Sequence, residues 1–314
     1  MKKIILMFAA VVMAAGVMSA QDINQATESY NNGAMELQMG NNEAAIENFQ
    51  AALTMGEALG DEGADLVANC KKAIASATLS MAKDLYNAKD FEGAAAAFVK
   101  AKEVAEGYGE TEIAEEAAEL VNQANALKFN TEGKAAMKAK DFPTAISCFT
   151  KVLELDPTNG ATAVQLGQAY MNAGQLDEAI TALETAMANG QEKNAAKILS
   201  NVYLKKAQAS NKAKNYQEVI DFAAKSNEAL ENGNAYKLTA SALQKLGKND
   251  ECIAAYEKYL EVTPNAKDAG GIICTIAVLY QQAGNKAKAK EYFQMLVNDP
   301  KHGATAQQIL PTLN

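Results

Sequence analysis

The chain has 314 residues, 49% of them apolar, and 38 acidic residues against 29 basic ones give it a formal net charge of −9. So large an apolar share excludes a mainly disordered chain. Every basic residue is a lysine, and an acidic protein without arginine lacks both the field and the bidentate donor that grip phosphate backbones, so nucleic acid is not an expected partner.

In chain order, residues 1–20 have the charge, length and order of a secretory signal peptide: Lys2 and Lys3, an apolar run from Ile4 to Val17, then Ser19 and Ala20. The run is shorter than the roughly 20 residues a spanning helix needs, which separates it from a membrane anchor; the other alternative is a buried N-terminal helix. The mature chain is expected to begin at Gln21, although Met18 is large for its place three positions before the cut, and its net charge becomes −11 without the two lysines. No cysteine follows the run to carry a lipid, and no later segment is apolar enough to span a membrane. The expected location is therefore outside the cytoplasm: the periplasm, the outer membrane or the medium.

Few aromatics, no tryptophan and abundant alanine favour close helix packing over a sheet of β-branched strands. Cys70, Cys148, Cys252 and Cys274 lie far apart with no CxxC pair, and a chain of this length with a full helical core does not need disulfides, so they read as small buried hydrophobes.

The body of the sequence repeats. Residues 126–159 and 160–193 align without a gap at a period of 34: Gly133, Phe142, Ala145, Phe149 and Leu153 match Gly167, Leu176, Ala179, Leu183 and Met187. These residues at this period resemble the tetratricopeptide repeat (TPR) family. Extending the frame gives seven units, starting at Ala26, Ala75, Ala126, Gly160, Ser200, Gly233 and Gly270. Position 8 is glycine or alanine in all of them, position 20 is small, and position 24 is large in six of the seven. The small residues are expected where the two helices of a unit cross, with the large one filling the space beyond. Gly40, Gly174, Gly247 and Gly284 at position 15 are placed to end a first helix, and Asn or Asp at the next position in five units is placed to cap the second. The fifth unit departs most, with Ala223 and Ser226 where bulk is expected.

The first three units start 49 and 51 residues apart, and the extra sequence is helix-compatible apart from GEALGDEG and EGYGETE. Lengthened helices on each side of two polar turns are therefore expected in the N-terminal part. The tail HGATAQQIL before Pro311 reads as a capping helix with Gln307 and Gln308 exposed. The expected fold is all-α, a TPR α-solenoid of about seven helix-turn-helix repeats with a C-terminal capping helix. Its divisions are 1–20 signal peptide, 21–125 N-terminal units with lengthened helices, 126–301 C-terminal units, and 302–314 capping helix and tail.

Chemistry is thinly supplied. The one histidine is His302, and no HExxH, paired CxxC, phosphate loop or GxSxG is present. The acids of EIAEEAAE, Glu112 to Glu119, stand at helical spacing as a solvated face. No enzymatic activity, no catalytic residue, no metal and no cofactor are expected.

The resemblance implies that unit positions 2, 5, 9, 12 and 13 face a concave groove. Of these 35 residues none is acidic, where about four would fall by chance, and six are lysine. The residues read as a partner-binding groove are Lys83, Asn130, Lys134, Lys138, Gln168, Asn172, Gln208, Asn211, Lys212 and Lys245. The expected function is a non-enzymatic protein–protein interaction scaffold of the bacterial cell envelope. Its partner is a protein or peptide tail, acidic in character, with amides pairing to its backbone and lysines attracting its carboxylates. The two-carboxylate clamp of chaperone-binding members does not transfer, since it uses arginine and the first unit has Tyr30 and Ala34 at the relevant places. The alternative is a carbohydrate-binding accessory protein, for which only Tyr30 and Tyr86 would supply aromatic platforms.

Overall fold

A computed structural model describes residues 20–313; apart from Ala20, the signal peptide expected at residues 1–20 lies outside them. All regular structure among the described residues is helical, and these residues divide into two compact units, unit 1 up to Lys128 and unit 2 from Phe129 onward.

Unit 1 holds the hairpins α1 (Ala20–Gln38) with α2 (Asn42–Ala58) and α3 (Ala64–Asn87) with α4 (Phe91–Tyr108), followed by the first part of α5 (Thr111–Ala139). Unit 2 holds the end of α5 with α6 (Phe142–Leu155), then α7 (Gly160–Ala173) with α8 (Leu176–Ala188) and α9 (Glu192–Lys212) with α10 (Tyr216–Ala229). It continues with α11 (Gly233–Lys245) and α12 (Asn249–Val262), α13 (Ala269–Gln282) and α14 (Lys286–Met295), and closes with α15 (Gly303–Ile309). The lengthened helices are α2 to α5, at 17, 24, 18 and 29 residues. Of the two polar turns, GEALGDEG shrinks to a 3-10 turn at Gly60–Gly63 and EGYGETE to Gly109 and Glu110, because the flanking residues continue their helices. One lengthening not read from the sequence is α9, at 21 residues.

Within each hairpin the small and large positions interlock. Ala45, Ala94, Ala145, Ala179, Val219, Cys252 and Ala289 are all fully buried, as are the Phe, Leu or Ala side chains one turn later at Phe98, Phe149, Leu183, Ala223 and Phe293. A β-carbon at Gly33 would lie 2.7 Å from the Phe49 ring, and one at Gly133 would lie 2.6 Å from the Phe149 ring. The bulky residue therefore fills the glycine notch itself, not the space beyond it, and full burial of such a side chain stabilises by about 1.5–3 kcal/mol.

Each hairpin turn has one geometry. All seven position-15 residues are left-handed: Gly40, Gly174, Gly247 and Gly284 at φ 74° to 83°, and Lys89, Lys140 and Lys214 at φ 61° to 64°. The next residue ends the turn, but only three of the five expected Asn and Asp caps form: Asp90 accepts from the Gly93 N–H, Asp141 from Thr144 and Asn285 from Lys288. Asn41 and Asn215 instead donate to Glu36 and Glu218, since a carboxylate within reach competes for the amide. The same left-handed turn at Lys214 puts the fifth unit in frame. Its missing bulk is replaced by two fully buried hydroxyls, Ser200 and Ser226, 3.0 Å apart across α9 and α10. At the C-terminal end Ala306 and Leu313 close over Phe293 and Leu296, while Gln307 and Gln308 face solvent.

Candidate partner-binding face

Contacts in unit 2 place several first helices of its hairpins side by side: α9 touches both α7 and α11, and Ala136 of α5 shares a core cluster with Leu166 and Ala169 of α7. On this layer, Lys134 and Lys138 lie one turn apart on α5, both exposed, and neither makes an ion pair among the described residues. Asn130 precedes them by one turn, and its Oδ1 is buried without a hydrogen-bond partner. On α7, Gln168 donates to Asn172 at 3.2 Å, which aligns the two amides along one ridge. Gln208, Asn211 and Lys212 occupy the last two turns of α9, and Lys245 is the last residue of α11.

Lys138, Lys212 and Lys245 each stand in the last turn of a helix, where the partial negative charge of the exposed carbonyls holds a cation in place by about 0.3–1 kcal/mol. All three side chains are exposed. Lys237, the sixth groove lysine, is differently engaged: it pairs with Asp268, whose carboxylate also accepts from the Tyr259 hydroxyl at 2.6 Å. The hydrogen bonds from Lys237 and Tyr259 hold the Asp268 carboxyl below the usual carboxylate range, and the bond to Asp268 raises Lys237.

Lys83 lies in unit 1 and pairs with Glu116 of α5 at 2.6 Å. Unit 1 thus carries acids on its first helices outside the five groove positions: Asp22, Glu28 and Glu36 on α1, Asp65 and Asp84 on α3, and Glu112, Glu115, Glu116 and Glu119 on α5. In unit 2 the separation by charge extends to whole helices. Its first helices carry nine lysines against two acids, Glu132 and Glu192, whereas its second helices carry six lysines against twelve acids. A count over five positions per unit is blind to this; counting charge helix by helix would have found it, once the helix bounds were known.

Aromatic surface is scarce. Tyr30 packs its ring 5.3 Å from Phe49, and Tyr86 lies 5.6 Å from Phe91 and 6.1 Å from Phe98, so both are committed to internal contacts. A cleft of about 420 Å³ lined by Asn232, Asn234, Asn265, Thr263 and Tyr259 opens between the start of α11 and the end of α12, but Tyr259 is only 6% exposed and offers no flat ring. No group of three or more His, Cys, Asp or Glu among the described residues is placed to hold a metal ion, and no described helix is long and apolar enough to cross a membrane. The four cysteines are free thiols, three of them buried.

Models of the tetratricopeptide repeat match residues 136–202, 235–266 and 275–302. A curated relative, the Hsp70-Hsp90 organizing protein of Triticum aestivum, is 39% identical over 69 residues, which is 22% of this chain. The chain covers 12% of that relative's length. Among solved structures, MamA is 23% identical over 58% of this chain and 94% of its own, with a TM-score of 0.39. YrrB, described as a TPR protein with an unusual peptide-binding site, is 19% identical over 58% of this chain and 92% of its own, with a TM-score of 0.36. Likenesses this distant carry no argument about function. Residues 136–202, 235–266 and 275–302 carry tetratricopeptide repeats, seven helix hairpins follow one another along the chain among the described residues, and the fold is an all-α tetratricopeptide-repeat solenoid with a C-terminal capping helix.

Proposed function

We propose that the protein is a non-enzymatic scaffold of the bacterial cell envelope that binds an extended, acidic peptide or protein tail on the first-helix face of unit 2. The observation that carries this reading is the partition of charge between the two helix layers of unit 2, nine lysines against two acids on one and six against twelve on the other. A partner's carboxylates would meet Lys134, Lys138, Lys212 and Lys245, while Asn130, Gln168, Asn172, Gln208 and Asn211 would pair with its backbone amides. Export rests on residues 1–20 and the envelope location follows from it. Carbohydrate binding is the weaker reading, because Tyr30, Tyr86 and Tyr259 are all engaged in the interior.

The test is fluorescence anisotropy with a labelled peptide of alternating glutamate and serine, set against its lysine–serine counterpart. The acidic peptide should bind and the basic one should not. Reversing Lys134, Lys138 and Lys212 together to glutamate should remove binding, and undiminished binding in that variant would refute the assignment of the face. A fusion of residues 1–20 to an alkaline phosphatase reporter tests export separately.

A further inference from the structure

Net charge is divided unevenly between the units. Residues 20–128 hold nineteen acidic side chains against seven lysines, a net of −12, while residues 129–313 hold nineteen against twenty, a net of +1. Seven of the unit 1 acids fall within residues 103–119, from the last turns of α4 across the turn at Glu110 into the first turns of α5, with no lysine among them. Glu106 pairs with Lys102 and Glu116 with Lys83. Glu103, Glu110, Glu112, Glu115 and Glu119 make no ion pair among the described residues, and all but Glu110 are exposed. A cleft of about 380 Å³ at this edge, with Ala114 and Ala118 among its lining residues, is flanked by Glu106 and Glu115.

Every copy of the protein therefore carries a strongly acidic edge together with a face on which lysines outnumber acids nine to two and on which Lys134, Lys138, Lys212 and Lys245 make no ion pair among the described residues. We propose that the acidic α4–α5 edge of one copy docks on the first-helix face of unit 2 of a second copy, a proposal that rests on the reading of that face given above and names its occupant. The two surfaces differ, so the contact is heterologous: each docked pair keeps one free edge and one free face, and assembly continues unless its rotation closes a ring. Most of the charges involved are exposed, so each pairing is weak and the attraction depends on several acting together within the screening length of about 8–10 Å at moderate salt. Association is thus steeply salt-dependent.

Sedimentation velocity on the purified protein tests this with two charge-reversed variants. One carries Lys134→Glu, Lys138→Glu and Lys212→Glu; the other carries Glu112→Lys, Glu115→Lys and Glu119→Lys. The unaltered protein should form larger species at low salt, with the dissociation constant rising at least about tenfold on going to about 0.5 M salt. Each variant alone should sediment as a monomer, since like charges then face each other. An equimolar mixture should associate again, because the reversed face of one meets the reversed edge of the other. Circular dichroism checks the fold of each, and Glu115→Lys with Glu119→Lys serves as the milder edge variant should the triple one unfold. A protein monomeric at every concentration in low salt, or a mixture that stays monomeric, overturns the proposal. Peptide binding separates the two readings: a monomeric protein that still captures the acidic peptide refutes self-association alone, and one that does neither refutes both.

Discussion

Leu183 fills the space that a β-carbon on residue 167 would occupy: its Cγ lies 2.6 Å and its Cδ2 2.8 Å from that position. A glycine inside α7 gives up about 1 kcal/mol of helix propensity relative to alanine, so the packing of Leu183 into the notch must return more than that. Gly167→Ala is expected to lower stability by about 1–3 kcal/mol through overpacking. Leu183→Val in the same background should recover part of the loss by making room. Urea unfolding of the two single variants and the double variant measures the coupling, and strictly additive effects would show that the two residues do not compete for the same volume.

Lys89, Lys140 and Lys214 hold left-handed backbone at the turn where four other units use glycine. A side chain there costs about 1–2 kcal/mol in steric conflict, partly offset by the greater chain entropy of glycine when unfolded. Each of Lys89→Gly, Lys140→Gly and Lys214→Gly is therefore expected to raise stability by about 0.5–1 kcal/mol. Thermal unfolding midpoints check this, and a drop in all three would mean that the lysine side chains contribute contacts outweighing the strain.

Ser200 and Ser226 form a buried polar link between α9 and α10: their hydroxyls are 3.0 Å apart, and Ser226 also lies 2.9 Å from the Ser200 carbonyl. Removing one hydroxyl leaves its partner less well paired in a fully buried site, so Ser226→Ala should cost about 1–3 kcal/mol. The double variant Ser200→Ala with Ser226→Ala should cost less than twice that. Its chemical denaturation midpoint gives the answer, and an unchanged midpoint in the single variant would show the link to be dispensable.

Burial pushes the Cys70 and Cys252 thiols up to about 11, and at Cys252 a backbone hydrogen bond at Gln244 opposes the rise only in part. A thiol–disulfide reagent near pH 8 should label Cys274, which is partly exposed, well before the other three, which should react fully only in denaturant. The sign of the pH effect follows. The unfolded thiols lose protons near their ordinary value of about 8.5 while the folded ones keep theirs, so this contribution to stability is whole below that value and is lost as pH rises toward 11. Replacing both cysteines by alanine should flatten the fall in stability over that alkaline range, and an unaltered slope would assign the fall to other groups.

What the sequence determined by itself was the repeat and its notches. Gly133 and Phe149, or Gly167 and Leu183, are close in sequence and share one hairpin, so a 34-residue period is enough to read their contact. Left-handed turns were legible only where glycine marks them; lysine fills the same role at Lys89, Lys140 and Lys214 because the returning helix imposes the turn on whatever residue stands there. The lysines and amides of the face were legible as a pattern. Which of them remain open was decided by tertiary structure, since the pairing of Lys83 with Glu116 and of Lys237 with Asp268 depends on helices from neighbouring hairpins. The hydroxyl link of Ser200 and Ser226 and the sorting of charge between helix layers belong to the same class. Local sequence dictates how each hairpin closes, because its contacts span one short turn, but the environment of a side chain on the stack depends on the next hairpin, whose placement is written only in three dimensions.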